Sequence, residues 1–151
     1  MRSRQFAYML TVLVGLALAT TVARADKHQP TEGQPLLLED HMGEMNRALR
    51  RLKRLLADPE KTEESLVLVA TIQQHALPAK AMVPTMAQDV EPAKRKAFVT
   101  AYRRQMIGLV QALLTLEDQL LSGQGQLALE TYGNIRRIQK EGHHSFRKKE
   151  E

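Results

Sequence analysis

The stretch LLLEDHMGEMNRALRRLKRLL, residues 36–56, has the clearest helical pattern in this chain. Its apolar side chains recur at alternating spacings of four and three residues, which places them along one face of a helix. Arginine and lysine occupy the other face, so one side of this helix faces water and the other side needs a partner. The apolar seam consists of Leu38, Met42, Met45, Leu49, Leu52 and Leu56.

Three more segments have the same helical pattern, from about residue 61 to 83, from 93 to 121 and from 126 to 148. Pro78 lies inside the second segment and is expected to kink or locally break it. We see no strand pattern and no internal repeat, so we predict an all-α, antiparallel up-down-up-down four-helix bundle. The residues predicted to face inward are Leu68, Ile72, His75, Ala79 and Met82, then Phe98, Tyr102, Met106, Val110, Leu113 and Leu116, and finally Ala128, Tyr132, Ile135, Ile138 and Phe146.

Polar breaks separate the predicted helices. DPEK, residues 58–61, ends the first helix and starts the second, with Asp58 as a cap and Pro59 at the first helical position. VPTMAQDVEP at 83–92 and SGQG at 122–125 provide the other connections. Short connections favour helices that pack against their neighbours in the sequence.

The first 25 residues have the features of a secretory signal peptide. Two arginines in MRSRQ precede an uncharged apolar run, Phe6 to Val22, and ARA at 23–25 offers a cleavage site after Ala25. The run of 17 residues is at the lower limit for a membrane anchor, which is the alternative interpretation. We therefore predict a cleaved signal peptide (1–25), a flexible leader (26–35) and a four-helix domain (36–149) in a periplasmic protein without stable membrane insertion.

Charge and cysteine content exclude several classes of protein. The signal peptide contains three arginines and no acid, so the remaining chain has 19 basic and 17 acidic residues, a net charge of +2. A nucleic-acid-binding protein would have a stronger basic excess on one face, so we expect no nucleic acid partner. The chain has no cysteine, which excludes disulfides, thiolate metal sites and covalent haem attachment through cysteine.

The predicted topology brings several chemically informative side chains to one end of the bundle. On helix 4, His143 lies at the edge of the apolar face, where it can look inward, whereas His144 points to the opposite side. Met42, near the start of helix 1, falls at the same end as His143. A methionine and a histidine beside an apolar pocket are one axial arrangement for haem iron. A core methionine and a solvated histidine near a helix end are the commoner interpretation of these residues.

Two motifs resemble the cytochrome b562 family. LLLEDHMGEMNRALRRLKR is similar to the first helix of that family, in which an acidic pair precedes a methionine ligand. GHHSFRK is similar to its last helix, in which an aromatic residue and an arginine follow the ligand histidine at three and four residues. His143 has Phe146 and Arg147 at these offsets. The resemblance covers roughly residues 36–149, and the middle helices match weakly.

The resemblance implies a soluble one-electron carrier with one non-covalent haem b (protoporphyrin IX iron). Met42 and His143 would be the axial ligands of the iron, and six-coordinate iron leaves no position for a substrate, so we do not expect an enzyme. The implied partners are haem and an unidentified redox protein, for a monomer or weak dimer. The related cytochromes c′ carry cysteines where this chain has Gln139 and Gly142. Phe98, Tyr102, Met106 and Met82 would wall the haem.

Two alternatives remain open. The first is a haem-free helical bundle that acts as an interaction or stress protein of the periplasm, through the basic outer face of helix 1. The second is metal handling by the histidines and methionines, which we rank lowest because most of them lie on the apolar seams of the helices. His75, on the seam of helix 2, is expected to hydrogen-bond in the core, and a second small site there is the less favoured interpretation.

Overall fold

The computed structural model describes residues 35–148. The predicted signal peptide (1–25) and residues 26–34 of the predicted leader lie outside the described residues. Within 35–148 the chain is helical and has no strand, which confirms the predicted all-α class. The four helices are α1 (Leu38–Leu55), α2 (Thr62–Ala81), α3 (Pro92–Leu121) and α4 (Gly125–Phe146), with short 3-10 turns at Pro59–Lys61 and Thr85–Gln88.

Local chemistry explains where the helices start and stop. The Asp58 carboxylate accepts a hydrogen bond from the Glu60 amide at 3.0 Å, and Pro59 opens the turn that leads into α2. Gly123 ends α3 with a φ of 68°, a left-handed conformation that favours glycine. The Gly123 amide donates to Leu120 and the Gln124 amide to Gln119, which together form a Schellman motif.

Pro78 does not break α2. The helix runs without interruption from Thr62 to Ala81 and contains Pro78 in its last turn, so the predicted local break is wrong. The Pro78 side chain is exposed, and it lies in the last turn of the helix. Proline has no amide hydrogen, but few hydrogen bonds of α2 are affected so close to its end.

The core consists of the apolar seams of all four helices. Two buried tyrosine hydroxyls fix neighbouring helices to one another: Tyr102 donates to the Ala79 carbonyl at 2.8 Å, and Tyr132 donates to the Leu49 carbonyl at 3.0 Å. The first bond joins an early residue of α3 to a late residue of α2, the order expected of antiparallel neighbours. The most deeply buried apolar side chains are Leu49, Leu52, Val69, Ile72, Leu113, Leu116 and Ile135.

Side-chain contacts connect the helix ends at one end of the bundle, namely the start of α1 with the end of α2, and the start of α3 with the end of α4. His41 at the start of α1 contacts His75 late in α2, and Phe98 at the start of α3 contacts Phe146 at the end of α4. We call this the His/Phe end. The backbones of α1 and α4 approach each other less closely than do those of helices adjacent in sequence.

Candidate functional site

The two predicted iron ligands lie at the His/Phe end, on α1 and α4. Met42 is partly buried and packs against the apolar core. His143, which was predicted to look inward from the edge of the apolar face, is in the last turn of α4 and is exposed instead. His144 is also exposed, as predicted. Within residues 35–148 no hydrogen bond to the His143 ring is found, so neither ring nitrogen is committed to a protein partner there.

The surroundings of His143 favour a neutral imidazole. Desolvation by neighbouring protein atoms lowers the pKa of His143 below 6.5, and the positive charges of Arg147 and Arg136 lower it further. The residue as a whole is exposed, so its ring lies at the surface of the bundle, with protein atoms on one side and solvent on the other. A neutral imidazole has a lone pair free for a metal ion.

The aromatic residues of the predicted haem wall pack on one another. The ring of Phe146 meets Phe98 at 5.2 Å and Tyr102 at 5.6 Å between centroids, both edge to face. Met106 is buried beside them on α3, and Met82, just after α2, is partly buried. Phe98 and Tyr102 of the predicted wall therefore both pack against Phe146, a residue that was not predicted to belong to the wall.

The hydroxyl of Tyr102 has a structural role in this cluster. Its bond to Ala79 is buried, and burial raises the pKa of Tyr102 to about 12, with a smaller contribution from the Glu39 carboxylate. The folded protein therefore keeps this proton at pH values where an unfolded chain would release it.

We expect Tyr102 to make the protein less stable as the pH rises from about 10 to about 12. Over this window the unfolded tyrosine ionises and the folded one does not, so the unfolded state gains stability. Urea denaturation of the wild type and of Tyr102→Phe at pH 8 to 11.5 measures the effect. The Tyr102→Phe variant should lose less stability over this range, and identical pH profiles would contradict the burial argument.

The residues present match haem in donor chemistry. A thioether on α1 and an uncommitted imidazole on α4 lie at the same end of the bundle. Away from that end the two helices are tied together, because Gln139 donates to Asn46 at 3.3 Å and Tyr132 to Leu49. Met42 and His143 each lie one helical turn from the Asn46–Gln139 pair, toward the His/Phe end, and would be the residues that hold the iron of a bound haem.

The contact between His41 and His75 was not predicted from the sequence. His41 is buried, 7% exposed, and its Nδ1 lies 3.0 Å from Nδ1 of His75 on α2. The predicted hydrogen bond of His75 in the core is confirmed, and its partner is new. A signal for the burial of His41 was present, because His41, Met45, Ala48 and Leu52 also follow the four-and-three spacing of a helix face.

Comparison with models of protein families, with curated proteins and with solved structures gave no match. Within residues 35–148, no group of three or more histidine, cysteine, aspartate or glutamate side chains is arranged to hold a metal ion. No helix between residues 35 and 148 is both long enough and apolar enough to cross a bilayer.

Proposed function

We propose that this chain is an exported b-type cytochrome that binds one non-covalent haem through Met42 and His143 and passes single electrons to a redox protein of the periplasm. The observation that supports the proposal is the hydrogen bond between Gln139 and Asn46, because His143 and Met42 each lie one turn from it on the side of the His/Phe end. The resemblance of both helices to cytochrome b562 supports the same pair.

Each protein group has a distinct task in this proposal. Met42 offers a soft, neutral sulfur from the partly buried side of α1, and His143 offers a neutral nitrogen from α4. Phe98, Tyr102 and Phe146 present apolar ring edges that exclude water from the same end. When bound, haem supplies one-electron exchange, and methionine–histidine ligation raises its reduction potential.

Met42 and His143 would both be used to hold the haem iron. No position would then be open for a substrate, so we propose a carrier rather than an enzyme. Its electron would pass through the exposed margin beside His143 to a docked protein.

Single substitutions of the ligands test the proposal, with neighbouring residues as controls. We expect haemin-loaded His143→Ala and Met42→Leu to lose the sharp bands of low-spin, six-coordinate iron, because each lacks one donor while Met42→Leu keeps the side-chain volume. His144→Ala, next to His143 on α4, and Met86→Leu, on the turn Thr85–Gln88, should keep the wild-type spectrum. Visible spectra before and after dithionite provide the measurement. An unchanged spectrum in either ligand variant contradicts the assignment.

The tight packing of Phe98, Tyr102 and Phe146 favours a second candidate function, a haem-free bundle that binds a protein or an anionic surface. Its binding face would be the exposed basic side of α1, which includes Arg50, Arg51, Lys53 and Arg54. Thermal stability that does not change when haemin is added would favour this candidate.

A further inference from the structure

The His41–His75 pair joins α1 to α2 through two ring nitrogens. The Nδ1 atoms are 3.0 Å apart, the ring centroids are 5.3 Å apart, and the ring planes are inclined by 58°. His41 is held by the core, whereas His75 is only partly buried. One donor is therefore fixed by packing, and the other is accessible from solvent.

The separation of the two nitrogens suits chelation of a transition metal ion. With metal–nitrogen bonds of about 2.0–2.1 Å, two nitrogens 3.0 Å apart subtend an angle of about 95° at the metal. A tetrahedral ion would need the nitrogens about 3.3 Å apart. An angle near 90° belongs to square-planar or tetragonal coordination, the geometry of Cu²⁺ and Ni²⁺ with nitrogen ligands.

We propose that His41 and His75 form a two-imidazole site for a divalent ion of tetragonal preference, Cu²⁺ or Ni²⁺, with water in the remaining positions. The ion would replace the hydrogen that the two nitrogens share. The ring that loses its Nδ1 hydrogen is protonated on Nε2 instead. Both imidazoles therefore stay neutral, and the binding step releases no net proton.

Burial favours a neutral His41: desolvation lowers the pKa of His41 and His75 lowers it further, whereas the Asp40 carboxylate acts in the opposite direction. A neutral imidazole keeps a nitrogen lone pair for a metal ion. The Glu44 carboxylate adds a negative potential at His75. Arg47 partly offsets this potential, because its guanidinium is bonded to Glu44. The site uses neither Met42 nor His143, so it stands independently of the proposed haem.

A copper titration of the haem-free protein tests the site. Every sample carries His28→Ala, because His28 lies outside the described residues and would add a competing imidazole. The matched pair is His75→Ala and His144→Ala, one in the site and one exposed on α4. Titration calorimetry with Cu²⁺ gives the affinity, and electron paramagnetic resonance gives the number of coordinated nitrogens.

We expect one tight equivalent of Cu²⁺ coordinated by two imidazole nitrogens in the His144→Ala protein. Losing one arm of the chelate in His75→Ala should weaken the tight site by about 100-fold or more. Equal affinity in the two variants, or no tight site in either, overturns the proposal. If His75→Ala fails to fold by circular dichroism, the paramagnetic spectrum of the His144→Ala protein decides, since fewer than two coordinated nitrogens would also overturn it.

Discussion

Replacing Leu113 with alanine should lower the free energy of unfolding by about 2–5 kcal/mol, the usual cost of removing a large side chain from a packed core. Leu113 is 0% exposed and lies on α3 within the common core of the bundle. Truncation removes apolar contacts and leaves a cavity that surrounding helices fill only in part. Urea denaturation followed by helical circular dichroism measures the difference.

The neighbouring Leu114 provides a matched control, since it is the same residue type on the same helix and is 54% exposed. Leu114→Ala should change the free energy of unfolding by no more than about 0.5 kcal/mol, because its side chain is largely in water in both states. Similar losses in the two variants would mean that α3 presents a different face to the core.

Adding haemin should raise the thermal midpoint of the protein substantially. A ligand that binds only the native state stabilises it by about 2.7 kcal/mol at a free concentration 100 times its Kd. For a domain of this size that corresponds to a shift on the order of 10 °C. Thermal unfolding followed by circular dichroism, with and without haemin, gives the shift directly.

Iron-free protoporphyrin IX separates the two sources of this stabilisation. It offers the same apolar surface to Phe98, Tyr102 and Phe146 but has no metal for Met42 and His143, so it should raise the midpoint less than haemin does. Equal shifts with both compounds would show that Met42 and His143 do not ligate the iron.

Helix periodicity predicted most of the fold. The four predicted segments differ from the observed helices by only a few residues at each end, because alternating spacings of four and three report directly on burial. The connections were less predictable. The segments around Asp58 and between α2 and α3 each contain a short 3-10 turn, which has no apolar period of its own.

The chemistry of the His/Phe end was predicted in part. The positions of Met42 and His143 at one end follow from helix order alone, and their role as ligands remains a prediction. The contact of His41 with His75 could not be predicted from the sequence. His41 and Met42 are adjacent, and a seam with spacings of four and three residues can be drawn through either of them. Which seam faces α2 depends on the rotation of α1, and tertiary packing sets that rotation.

The aromatic cluster gives a similar lesson. Sequence spacing placed Phe98, Tyr102 and Phe146 on inward faces, and all three are at least partly buried. Spacing gives no information about whether inward side chains leave a cleft or contact one another. In the structure Phe146 packs against both other rings, so its position links the end of α4 to the start of α3.

A haemin titration of the purified protein, followed by a visible spectrum after reduction with dithionite, distinguishes a b-type cytochrome from a haem-free bundle. If Met42 and His143 ligate the iron, we expect binding of one haem per chain and the sharp bands of low-spin iron. No saturable binding, or a broad high-spin spectrum, would contradict it and would leave a helical bundle with a different function.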